Sequence, residues 1–128
     1  MDIWAIALWI GKVGLVAFFI MSGVNHLTRY KMMSGYAEAR SVPMPGPSVI
    51  VSGLMLLAGS LMILFNWHPI WGAAMLIVFL LAAAFLVHHY WSEADPMAKV
   101  NESAHFWKNL TIASGVLLLA VAVHRGAY

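Results

Sequence analysis

The stretch from 70 to 90 reads IWGAAMLIVFLLAAAFLVHHY and contains no Asp, Glu, Lys or Arg. A helix needs about 20 predominantly apolar residues to cross the hydrocarbon layer of a bilayer. The stretch has that length, and its Leu and Ala residues favour helix over strand. It therefore predicts a membrane-spanning helix and decides the class of fold to which the rest of the chain must conform.

Three further stretches of the same kind flank it. With the first they give predicted spans at about 3–23, 48–67, 70–90 and 106–123. Only helices and closed barrels satisfy backbone polar groups in lipid, and the two-residue alternation of barrel strands is absent. The sequence predicts an all-α fold, an integral membrane four-helix bundle of up-down topology that forms a single domain over residues 1–128.

The composition agrees with a surface that faces lipid. Of the 128 residues, 62% are hydrophobic and only 9% are charged, whereas soluble domains carry roughly 25% charged residues. Because the chain has no cysteine, it offers no disulfide, thiolate metal ligand or cysteine redox step. The basic residues are dispersed rather than clustered, so we expect the lipid bilayer and not nucleic acid as a partner.

The connections between the spans differ in length. NWHPIW (66–71) is a tight turn with Pro69 where the next helix would begin. The connections 24–47 and 91–105 are long, and the first ends in the proline cluster PMPGP (43–47), which is predicted to stop any helix.

Charge bias predicts the orientation of the spans. An even number of spans places both long connections on one side, and that side carries most of the basic residues, whereas only Arg125 lies on the other. The positive-inside rule therefore predicts that the connections 24–47 and 91–105 are cytoplasmic and that both termini lie outside. The basic residues of the cytoplasmic side are Arg29, Lys31, Arg40, Lys99 and, at its edge, Lys108.

Lys12 is the unusual residue of the first span. No charged residue follows it before 23, and a charge near the bilayer midplane costs roughly 2.5–3.5 kcal/mol on insertion scales. Phe19 and His26 follow at seven-residue steps, so the three side chains share one helix face, which we expect to point into the bundle. Either Lys12 bonds to a neighbouring helix and orients the bundle, or it binds a polar group such as a carboxylate or a quinone carbonyl.

Histidines form the second polar feature. His26, His88, His89 and His105 are predicted to lie at the same membrane surface in an up-down bundle. Imidazole is a common metal ligand, but the spacing matches no known metal motif, so we predict no metal site and assign these histidines to headgroup and loop contacts. In HFWKN (105–109), three polar residues at i, i+3 and i+4 share one helix face.

Three stretches together resemble the DoxX family of small bacterial membrane proteins with four spans. They are KVGLVAFFIMSGVNHL (12–27), PGPSVIVSGLMLLAGSLMIL (45–64) and HFWKNLTIASGVLLL (105–119). The chain departs from the family twice. Lys12 stands where the family usually has arginine, and Ser48 and Ser52 occupy the region where many relatives carry a glutamate.

The resemblance implies a multi-pass protein of the bacterial plasma membrane. The family is linked to quinone-coupled oxidation of sulfur compounds and to membrane complexes that handle thiol and oxidative stress. The chain is therefore expected to be the membrane subunit of a quinone-linked oxidoreductase or oxidative-stress complex. Quinone is its candidate ligand, and its partner is either another protein of that complex or a second copy of the chain.

Two other classes of function remain open. In one, the chain is a non-catalytic accessory subunit packed against a larger membrane complex. In the other, it carries a small solute or a lipid, although it shows neither the inverted repeats nor the broken helices of transporters. No catalytic residue is assigned. The candidate ligand-binding residues are Lys12, Asn25, His26, His105, Lys108 and Asn109.

Overall fold

Helices account for nearly all of the computed structural model, which describes residues 1–126. Four of them are long and apolar enough to cross a membrane, and no strand occurs within the described residues. The predicted all-α four-helix membrane bundle is thereby confirmed. The helices are α1 (Ile3–Thr28), α2 (Tyr30–Ala39), α3 (Pro45–Leu64), α4 (Pro69–Ala82) and α5 (Pro96–His124).

Short irregular helices complete the third span. A π-helical turn, Ala83–Val87, continues α4 directly, and a single 3₁₀ turn, Tyr90–Ser92, follows it. A π turn inserts one residue into the helical ladder and so rotates whatever follows it. In this chain the residue that follows is His88.

Two helices, α3 and α5, begin before the predicted spans, and the residues at their starts explain why. α5 begins at Pro96, within the connection predicted at 91–105, because the Asp95 carboxylate caps the backbone N–H of Ala98 at 2.8 Å and proline suits the first helical position. Pro45 likewise begins α3, so the proline cluster at 43–47 starts a helix as well as ending the preceding segment. The connection 24–47 also contains the unpredicted helix α2.

The long helices pack in chain order. α1 packs on α3, α3 on α4, and α4 on α5, each pair antiparallel. Glycines allow the closest approach: a Cβ built on Gly72 would lie 2.6 Å from the carbonyl oxygen of Gly59, and one built on Gly53 would meet the Cβ of His26 at 2.9 Å. The buried core joins all four helices through Val16, Phe19, Leu56, Ile63, Ala73, Leu76, Leu80, Ala113 and Val116.

The two ends of the bundle differ in structure. We call the end that carries residues 29–44 and 88–95 the loop end, and the end that carries the α3–α4 turn, residues 65–68, the turn end. At the turn end Asn66 and His68 adopt the left-handed conformation (φ 55° and 48°), which lets a short segment reverse the chain. The loop end holds most of the polar side chains and the candidate site.

Candidate functional site: an apolar cleft at the loop end

A cleft of about 680 Å³ lies at the loop end between α2, α3 and the last turns of the third span. Its walls are aliphatic, methionine and proline side chains almost throughout. Val51 and Val78 contribute to it from the middle of α3 and α4 and are both exposed. Because exposed apolar residues of spanning helices face lipid, the cleft opens toward the bilayer. Its polar residues are His26, Tyr36, Ser48, Ser52 and His88.

His26 reaches the cleft from α1. Its side chain is buried, and its Nδ1 lies 2.7 Å from the carbonyl oxygen of Ser22. Because a carbonyl oxygen only accepts, Nδ1 carries the hydrogen and Nε2 is left to other partners. The ring also contacts the edge of Phe79, with the ring centroids 5.8 Å apart. Phe79 lines the same cleft.

His88 reaches the cleft from the opposite wall, directly after the π-helical turn. Its Nδ1 lies 2.7 Å from Oε2 of Glu102 on α5. Its ring stacks on that of His105, with the centroids 5.0 Å apart and the planes inclined by 24°. The ring is therefore fixed in orientation by a carboxylate at its edge and a second imidazole on its face.

Arg40 joins these elements from the connection after α2. Its guanidinium pairs with Glu93 and lies 3.8 Å from Glu102, while its Nε donates to the carbonyl oxygen of Val87 at 2.7 Å. Partial burial disfavours the charged guanidinium. The hydrogen bond with Glu93 and the charges of Glu102 and Glu93 outweigh that effect and raise the pKa of Arg40. The ion pairs thus hold α2, the π turn and α5 together around the cleft.

Tyr36 stands at the mouth of the cleft, near the same charges. Burial of the phenol raises its pKa, and Glu102 raises it further, while Arg40 acts in the opposite direction and Glu93 adds to the rise. The neutral hydroxyl is therefore favoured at ordinary pH. A neutral phenol can both donate and accept a hydrogen bond.

Of the six predicted ligand-binding residues, only His26 lines this cleft. Asn25 faces a neighbouring groove of about 240 Å³ beside Arg29. His105 and Lys108 are exposed and contact each other at 3.1 Å between Nδ1 and Nζ, whereas Asn109 is buried. The predicted polar face 105–109 is therefore split between the surface and the bundle interior.

Lys12 lies at the turn end, away from the cleft. Its side chain is 3% exposed, and its Nζ donates to Oδ1 of Asn66 at 2.8 Å and lies 5.0 Å from the ring centroid of Trp9. Phe19 and His26 are also buried, so the predicted inward face of α1 is confirmed. Lys12 and His26 share this face but lie about 21 Å apart along the helix, so Lys12 is separated from the histidines of the loop end.

Sequence reasoning missed Tyr36, Arg40 and Glu102 and left His88 among the surface histidines. One signal was available: Arg40 and the acids of the third connection were already assigned to the same membrane surface, where opposite charges can pair. The sequence does not predict the pairing of His88 with Glu102, because the π turn sets the position of His88. Within residues 1–126, no three His, Asp or Glu side chains converge into a set that could hold a metal ion.

Comparisons with known proteins agree with the architecture. A sequence model of the DoxX family matches residues 7–89, which run from α1 to just beyond His88. The inner membrane protein YphA of Escherichia coli K12 is 28% identical over 116 residues, covering 91% of this chain and 82% of the relative. The inner membrane protein YqjF of the same organism is 36% identical over 119 residues, covering 93% and 85%. No solved structure matches the chain.

Proposed function

The chain belongs to the DoxX family, and on that premise we propose that it is the membrane subunit of a quinone-linked oxidoreductase or oxidative-stress complex that binds its quinone in the loop-end cleft. Its four apolar spans and its inner-membrane relatives make it a multi-pass protein of the plasma membrane. The quinone role is the proposal.

The observation that carries this proposal is the combination of apolar walls and a polar end in one cleft. Sites for small molecules usually measure about 300–1,000 Å³ and place a few polar groups in an apolar surround, and the cleft of about 680 Å³ falls within that range. A quinone is a lipid-soluble ring with carbonyl oxygens and an apolar tail. The tail suits the walls between α3 and α4, and the oxygens suit His26, Tyr36 and His88.

The opening toward lipid favours a ligand that arrives through the membrane. A water-soluble substrate would gain little from apolar walls that face hydrocarbon, whereas a quinone partitions into the bilayer and reaches the cleft laterally. Because the chain has no cysteine, a thiol–disulfide step cannot belong to it. In this proposal a partner subunit exchanges electrons with the quinone, and this chain binds and orients it.

Quinone binding in nanodiscs tests the proposal. A benzoquinone with a decyl tail is titrated into the purified protein and into empty nanodiscs, and saturable binding above the empty-disc background is expected. Ala82 lines the cleft, so Ala82→Phe should fill it and weaken binding at least tenfold. Ala17→Phe places the same side chain on the exposed face of α1 and should leave binding unchanged. Equal binding by the two variants would contradict the assignment to this cleft.

The other two classes of function predict different results in the same preparation. An accessory subunit would bind no quinone and would be recovered in fixed stoichiometry with a larger membrane complex. A carrier would move a solute or lipid across the bilayer of proteoliposomes. Saturable, cleft-dependent binding of quinone is the result that separates our proposal from both.

A further inference from the structure

We propose that His88, oriented by Glu102, donates or accepts the hydrogen bond that fixes the head group of the quinone in the cleft. This inference rests on the proposed function and adds to it the residue that recognises the ligand oxygen. It also assigns roles to Glu102 and Arg40, which do not line the cleft.

The two ring nitrogens of His88 have different surroundings. With Glu102 ionised, its carboxylate only accepts, so the 2.7 Å contact places the hydrogen on Nδ1 of His88. Nε2 makes no hydrogen bond within residues 1–126, although the side chain lines the cleft. An imidazole whose Nδ1 bonds to a carboxylate has a fixed orientation, and its Nε2 remains available to a ligand. Metal-bound and catalytic histidines show the same arrangement.

A ligand oxygen can use Nε2 in either protonation state of the ring. The neutral imidazole accepts from the hydroxyl of a quinol, and the imidazolium donates to the carbonyl of a quinone. The charged and titratable groups around His88 are Glu102, His105 and Lys108 on α5 and Arg40 after α2. Nε2 can therefore bind the quinol in either state of the ring, and the quinone only when the ring is protonated.

Glu102 and Arg40 act as positioning residues. Arg40 lies 3.8 Å from Glu102 and bonds to the carbonyl of Val87, the residue before His88. The stacked ring of His105 restricts the imidazole from its face. A hydrogen-bonding group whose rotamer is fixed in advance loses less entropy on binding, so it contributes more to affinity than a mobile one.

His26 provides the contrast within the same cleft. Its Nδ1 bonds to the carbonyl of Ser22, one turn earlier in its own helix, so its orientation is set within α1. Within residues 1–126, no carboxylate bonds to its ring. We therefore assign the primary contact to His88 and leave His26 as part of the apolar wall through its contact with Phe79.

The test compares two probes on matched variants in nanodiscs. The probes are the decyl benzoquinone reduced to its quinol and decylbenzene, which has the same tail and no oxygen. His88→Phe keeps a flat ring and removes Nε2, so the affinity for the quinol, whose hydroxyl can donate to Nε2, should fall about tenfold, as expected for one hydrogen bond, while decylbenzene binding stays unchanged. His88→Gln restores an amide near the Nε2 position and should recover most of the affinity. His124→Phe makes the same substitution at an exposed histidine of the turn end and should bind as the wild type does.

A spectroscopic measurement on the unmodified protein covers the case in which His88→Phe does not fold. With ¹⁵N-labelled histidine, the Nε2 resonance of His88, assigned by its loss in His88→Gln, should shift on addition of the quinol and not of decylbenzene. If the wild type binds quinone and neither the affinity of His88→Phe nor this resonance changes, the inference is overturned and the proposed function stands. If the wild type binds no quinone, both are overturned.

Discussion

Lys12 shows how a single costly residue is accommodated. A helical side chain points back toward the N-terminus of its helix, so Lys12 extends toward the turn end, where Asn66 accepts its hydrogen bond at 2.8 Å and Trp9 lies beneath the cation. The lysine stem crosses apolar surface while the ammonium group reaches a polar turn. These contacts compensate for part of the cost of placing a lysine in the first span.

Removal of this hydrogen bond should affect stability rather than binding. We expect Lys12→Met to lower the free energy of unfolding by about 1–2 kcal/mol, the range for hydrogen bonds to charged groups and between membrane helices. Unfolding in mixed micelles measures the change, and Lys108→Met, at an exposed lysine, should have little effect. The quinone affinity of Lys12→Met should remain that of the wild type. A large loss of affinity in Lys12→Met would contradict the separation of the two ends.

Tyr36 should make stability depend on pH at alkaline values. Burial and the nearby carboxylates raise its pKa above the ordinary value of 10.0, so the folded state holds the phenolic proton more tightly than the unfolded state. The resulting stabilisation is complete below about pH 10 and is lost as pH rises through the folded-state pKa. Tyr36→Phe should therefore flatten the fall in stability above about pH 10. An identical pH profile for the variant would show that Tyr36 contributes nothing to it.

At the scale of elements, the contact between α3 and α4 depends on two glycines. A Cβ on Gly72 would lie 2.6 Å from the carbonyl oxygen of Gly59 and 2.9 Å from the Cβ of Met62. The first neighbour is backbone and cannot move without separating the helices. Small residues at such contacts allow the close packing on which association of membrane helices depends.

Gly72→Ala should therefore lower the free energy of unfolding by about 1–3 kcal/mol, the usual cost of overpacking. Gly115→Ala is the matched control, because nothing lies within 4 Å of its added Cβ and alanine favours helix by up to about 1 kcal/mol. Thermal unfolding of the two variants side by side measures the difference. Equal stability in both would mean that α3 and α4 can separate without cost.

The long helices could be predicted from sequence because length and the lack of charge are sufficient signals in lipid. α2 could not, since its sequence YKMMSGYAEA is half polar and its first residue has no side-chain cap. The start of α5 was missed because its first two turns contain Lys99, Asn101 and Glu102, although Asp95-Pro96 is a good start signal. Nothing in the sequence AAFLV predicts the π turn at 83–87. The position of His88 depends on this turn and therefore could not be predicted either.

At the scale of the whole molecule, membrane orientation is a prediction from charge alone. The chain lacks cysteine, so single cysteines can report each end. An impermeant maleimide added to intact cells should label His68→Cys in the α3–α4 turn and should label Ala94→Cys at the loop end only after the membrane is opened. The reverse pattern would place the cleft and its ion pairs on the outer side.

The cleft itself depends on the assembled molecule more than on any one helix. Its walls come from α1, α2, α3 and the end of the third span. Near its mouth, Arg40 forms ion pairs with Glu93 and Glu102, which are far from it in the chain. Among its polar residues, only His26 could be predicted as a ligand-binding residue from sequence. The seven-residue spacing along α1 places it on the inward face of that helix. The others meet through tertiary contacts between connections that sequence patterns do not relate.

Photo-crosslinking in membranes tests the central claim most directly. A decyl benzoquinone with an azide on its ring is irradiated with the protein, and labelled peptides are mapped by mass spectrometry with and without excess unlabelled quinone. We predict label within residues 42–55 and 78–88, lost on competition and reduced in Ala82→Phe but not in Ala17→Phe. Label spread over lipid-facing residues of all four spans, unaffected by competition, would contradict the account.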